Sequence, residues 1–113
     1  MKRSTFLAAG LAALLLPLAA PAQTDWPARP ITLVVPYPPG GVNDAVARAY
    51  AGKLALELGK PVLIDNRAGA GTTVASNHVA RAPADGYTIY AAATSLVINP
   101  TLTGQVQYDP HKS

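Results

Sequence analysis

Three short stretches of this sequence collect residue types that can hold an anion without a cation. Tyr37-Pro-Pro-Gly-Gly41, Gly69-Ala-Gly-Thr-Thr73 and Thr94-Ser95 supply backbone N–H groups and hydroxyls, and each follows an apolar run. Glycine leaves no Cβ between a ligand and the backbone, and the N–H groups at a helix start carry partial positive charge. The chemistry open to such residues is capture of a small anion by neutral donors. The glycine pairs serve equally well as tight strand-to-helix connections, because βα loops are commonly this short.

The elements that must position these loops follow from periodicity and punctuation. Ile31 to Val35 is an apolar, β-branched run between Pro30 and Pro36, as expected of a strand buried on both faces. Pro36, Pro38 and Pro39 forbid a helix and remove three backbone donors, and Gly40-Gly41 then turns the chain. A helix follows, with Asp44 in its first turn as a capping group rather than a ligand contact. Ala47, Tyr50, Ala51, Leu54 and Leu58 form its expected buried stripe, and Gly59 with Pro61 ends it.

Val62 to Asn66 is a second strand, joined to the first by a right-handed parallel crossover. Thr72 or Thr73 caps a second helix that runs to Arg81 or Ala82 and stops at Pro83. Tyr87 to Ala92 is a third strand, and Asn99-Pro100 opens an irregular tail. The fold class is α/β, a βαβαβ unit on a parallel sheet, and ligands of such sheets sit beyond the carboxyl ends of the strands. Trp26, in the polar lead-in, covers the edge of the core.

Residues 1–22 have the form of an export signal. Lys2 and Arg3 precede the apolar run Phe6 to Leu16, and Ala20-Pro21-Ala22 is a small-residue cleavage site, so cleavage is expected before Gln23. Pro17 interrupts the run short of the ~20 residues that a spanning anchor needs. Residues 23–113 are then one domain near the lower size for a self-sufficient core. The chain has 9 Lys and Arg against 6 Asp and Glu; losing Lys2 and Arg3 leaves 7 − 6 = +1. That balance and the sparse aromatics provide no basic stripe for nucleic acid. Cysteine is absent, which removes disulfides and a lipid-bearing thiol.

Other chemistry finds little support. The third glycine of a dinucleotide loop begun at Gly69-Ala70-Gly71 would fall on Val74, and the sequence has no phosphate loop and no Gly-x-Ser-x-Gly elbow. His78 and His111 are far apart, and the acids are dispersed, so no metal or cofactor is expected. Arg67 has two readings: a bidentate fork for a ligand carboxylate, or a solvated side chain beside a glycine turn.

The ordered motifs resemble the periplasmic receptors of tripartite tricarboxylate transporters, the Bug receptors. They are Trp26-Pro-Ala-Arg-Pro-Ile, Val34-Val-Pro-Tyr-Pro-Pro-Gly-Gly with Asp44 and Ala47-Arg48, Asp65-Asn-Arg-Ala-Gly-Ala-Gly71, Pro83-Ala-Asp-Gly-Tyr-Thr88, Asn99-Pro100 and Tyr108-Asp-Pro110. The resemblance implies a Venus-flytrap periplasmic binding fold that closes on a carboxylated small molecule and passes it to membrane permease subunits, without catalysis. It implies ligand contacts at Tyr37, Pro39, Gly40, Gly41, Gly69, Ala70, Gly71, Thr72, Thr73 and Ser95. Thr72 stands where the family usually has glycine.

The resemblance covers only the N-terminal portion of such a receptor, part of one lobe, and breaks off after Asp109-Pro110. One wall of a cleft cannot surround a ligand, so weak binding or none is expected of this piece alone. The competing expectation is an exported α/β module that has lost ligand capture and keeps a structural or interaction role.

Overall fold

The computed structural model describes residues 25–112. The export signal and its cleavage before Gln23 lie outside the described residues.

Strand β1 (Ile31–Val35) is the centre of a parallel sheet in the order β2-β1-β3, with β2 at Val62–Asn66 and β3 at Thr88–Tyr90. Ile31 pairs with Val62 and Val35 with Asn66 on one side; Thr32 pairs with Thr88 and Val34 with Tyr90 on the other. A central strand must be apolar on both faces, and Ile31, Leu33, Val34 and Val35 are all buried. The third strand is shorter than its apolar run suggests, yet its ladder reaches further: Thr32 N–H donates to the Tyr87 carbonyl at 2.8 Å and Ala91 N–H to Val34 at 2.9 Å.

Helix α1 (Val42–Leu58) joins β1 to β2, and α2 (Thr73–Ala80) joins β2 to β3. The two crossovers run in opposite directions across the sheet, so right-handed connections place the helices on opposite faces. Leu33 and Val35 pack with Ala47 and Ala51 of α1, flanked by Tyr37, Val62, Ile64, Ile89 and Ala91. Small residues let this helix lie close to the sheet. The expected stripe therefore needs one correction: Tyr50 is 65% exposed. It sits about 100° round the helix from Ala51, on the flank of the contact.

Gly59, at φ 66°, ends α1 in the left-handed conformation and donates its N–H to Ala55. The second helix starts after a single 3-10 turn at Ala70–Thr72, and neither threonine caps it with its side chain. Trp26 lies against the ring of Tyr87 and over Gly86, at the entry to β3, and is itself half exposed.

The tail holds a further correction. Ser95–Thr103 is a helix, α3, with Pro100 inside it. Proline removes the N–H that would reach the carbonyl four residues back, here that of Leu96. The Tyr108 hydroxyl donates to that carbonyl at 3.0 Å.

Candidate binding site

Because all three strands are parallel, their carboxyl ends meet on one edge of the sheet. The first loop leaves β1 through buried Pro36 and reaches α1 at Gly41. Gly41 provides no side-chain cap, and the first N–H groups of any helix lack intrahelical partners. The start of α1 is therefore donor-rich.

Asp44 does not close this end. Its buried carboxylate turns back to accept from the Gly40 N–H at 3.0 Å, Arg48 Nε at 2.9 Å and Asn66 Nδ2 at 2.9 Å. The Arg48 guanidinium, then the Gly40 N–H and the Asn66 amide, hold the Asp44 carboxyl well below the usual carboxylate range, against the opposing effect of burial. Asp44 in turn raises the pKa of Arg48. The capping role expected of Asp44 is thus directed at the loop before the helix.

The second loop has four successive residues at positive φ: Gly69 at 133°, Ala70 at 47°, Gly71 at 58° and Thr72 at 76°. The first suits glycine, because L side chains rarely adopt a φ of 133° and a Cβ there would also crowd Val74 Cγ2 at 3.3 Å. Ala70 and Thr72 are strained, Thr72 the more so because it is β-branched. The turn is held from α3 at the three residues after Ala70: the Thr72 and Ser95 hydroxyls lie 2.6 Å apart, and Asn99 Nδ2 donates to the Gly71 carbonyl at 2.8 Å and to Thr73 Oγ1 at 3.2 Å. Ser76 Oγ joins Thr72 to the Tyr90 hydroxyl, at 3.1 and 2.9 Å.

The candidate residues thus fall into two groups. Gly71, Thr72, Thr73 and Ser95 are tied into one assembly by α3, with Gly69 and Ala70 exposed on its turn. Tyr37 lines a cavity of about 690 Å³ that Thr94 and Ser95 also line, with Leu33, Val46 and Tyr50 as apolar wall. Pro39, Gly40 and Gly41 are exposed, and the N–H of Gly40 is already given to Asp44. Arg67 is neither solvated alone nor a free fork, since its Nε donates to Asp65 at 2.8 Å. His78 is half-buried in the last turn of α2. Among the described residues no group of three or more His, Asp or Glu could hold a metal, and no helix is long and apolar enough to cross a membrane.

Sequence reasoning missed Asn66 and Asn99. A signal was available for Asn66, a side-chain amide with two donors at the last residue of a strand and beside a loop short of partners; Asn99 lies midway along α3, a helix the sequence did not reveal.

A family model described as the tripartite tricarboxylate transporter family receptor matches residues 46–113. The chain belongs to that receptor family. BugT of Bordetella pertussis is 43% identical over 94 residues, which are 80% of this chain and 29% of BugT. The structure of MatC from Rhodopseudomonas palustris with bound malate superposes with a TM-score of 0.69 at 38% identity, over 74% of this chain and 29% of that one. Rpa4515 of R. palustris with adipate gives 0.57 at 47% identity, over 58% and 22%. The chain spans 24–36% of the length of the curated relatives it matches, and the α/β fold with its parallel sheet is that of these periplasmic binding proteins.

Proposed function

We propose that this receptor-family chain supplies one wall of a binding site for a small dicarboxylate, delivered in the whole receptor to the membrane permease subunits of the transporter. The observation that carries the reading is the gathering of three donor-rich loops on one edge of a parallel sheet, beside the uncapped start of α1. Malate and adipate on two structural neighbours support the ligand class. The act is capture, with no bond made or broken. Tyr37, Pro39, Gly40 and Gly41 form one lip, Gly69 to Thr73 and Ser95 the other, and the leader before Gln23 directs the chain to the periplasm. Gly40 contributes shape, its N–H being engaged by Asp44.

One observation favours a second reading, an exported module without ligand capture: the hydroxyls of Thr72 and Ser95 are directed at each other. A thermal or urea melt of the full chain, with malate, adipate or citrate, separates the two. Saturable stabilisation supports capture; a cooperative melt indifferent to all three ligands supports the module.

A further inference from the structure

We propose that Asn66 and Asp44 are positioning residues that set the donors of the first loop, an inference that rests on the receptor reading above. The loop cannot fix itself: of Pro36, Tyr37, Pro38, Pro39 and Gly40, only Tyr37 and Gly40 have an N–H at all. Its two ends are clamped by side chains from other elements. The Tyr37 carbonyl accepts from Asn66 Nδ2 at 3.0 Å, and the same nitrogen gives its second hydrogen to Asp44 Oδ1 at 2.9 Å. Asp44 Oδ2 accepts from the Gly40 N–H at 3.0 Å. One amide at the last residue of β2 and one carboxylate in the first turn of α1 thereby bracket the proline segment.

The chemistry of each residue type fits this task closely. Bridging a carbonyl and a carboxylate requires two N–H donors on one atom, which an amide has and a carboxylate lacks. The negative charge of Asp44 would oppose an anion at the helix start, but Arg48 Nε lies 2.9 Å from Oδ2 and offsets it. With Gly40 turned inward, the donors left in the loop are those of Tyr37, Gly41 and the first turn of α1, where the helix dipole favours an anion. The clamp selects which backbone groups meet the ligand.

The test compares the full chain with Asn66→Ala and Asn66→Ser, the second keeping one donor should the first fail to fold. Malate and citrate are the probes, affinity and melting are measured together, and amide resonances of Tyr37, Gly40 and Gly41 report the loop without ligand. The expected result is a cooperative melt, displaced loop resonances and an affinity lower by about tenfold, the fold-change of one ordinary hydrogen bond. Wild-type affinity with displaced resonances would overturn the proposal. Should the wild-type chain bind neither probe, the receptor reading falls by itself; loop amides that stay unmoved and equally protected from exchange in Asn66→Ala then overturn the clamp as well, whereas lost protection upholds it.

Discussion

A carboxylate that accepts three hydrogen bonds makes stability depend on its ionisation, and Asp44 is such a group. Its folded pKa lies below the unfolded value of about 3.9. The folded state therefore binds fewer protons, and the contribution is fully present above that value and lost as pH falls toward the folded one. Stability is expected to drop below about pH 4, and Asp44→Asn to flatten that acid limb, in urea melts at successive pH values. Thr72 allows a second residue-scale prediction. Replacing it by glycine relieves about 1–2 kcal/mol of left-handed strain but loses a hydrogen bond worth about 1 kcal/mol and a similar amount of backbone entropy. Thr72→Gly should therefore melt close to the wild type, whereas Thr72→Val, which keeps the strain and loses the hydroxyl, should lose about 1 kcal/mol. Residue type alone could not reveal either case. Asp44 was legible as a first-turn acid, but its partner Asn66 arrives from β2, 22 positions along the chain.

At the scale of elements, legibility followed the local strength of the signal. Apolar runs bounded by proline, and a helix closed by Gly59, were readable because their causes lie within a few residues. Helix α3 was not, because Asn99-Pro100 speaks locally against a helix and the compensating group, the Tyr108 hydroxyl, comes 12 residues after Leu96. That compensation is testable by a double-mutant cycle. Tyr108→Phe leaves the half-buried Leu96 carbonyl short of a donor and should cost about 1 kcal/mol. In that background Pro100→Ala restores the backbone N–H and should recover most of the loss. In the wild type the same change has little to repair. Non-additivity of the two melts measures the coupling, and additive losses would mean that α3 does not use Tyr108 in this way. The same logic explains Tyr50: a period of 3.6 identifies a face, while the width of the buried stripe depends on how close small Ala47 and Ala51 bring the helix to the sheet.

For the whole molecule, the parallel sense of the strands was legible from the crossover pattern, and with it the edge where the loops gather; that β1 lies between β2 and β3 was not, since right-handed connections fit other strand orders as well. Which loop residues are engaged with each other was not, since the Thr72 to Ser95 and Asn99 to Gly71 bonds join segments more than 20 positions apart. This assembly sets what binding should look like. A single wall leaves its ligand partly solvated, so an affinity of about 1 mM is expected, equivalent to about 4 kcal/mol. Ligand at ten times that dissociation constant would stabilise the fold by about 1.4 kcal/mol. For a domain of this size that is a rise in Tm of roughly 5–10 °C. The proposed donors are backbone groups and hydroxyls, and both nearby arginines are already paired, Arg48 with Asp44 and Arg67 with Asp65. Arg67→Ala should therefore leave the ligand-induced shift within about a third of the wild-type value. Raising the salt should weaken binding only modestly, since the partial charge of a helix start is screened far less steeply than a set of exposed cations. A ligand-induced shift that vanishes in Arg67→Ala would instead make Arg67 the carboxylate fork, with its bond to Asp65 exchanged for one to the ligand.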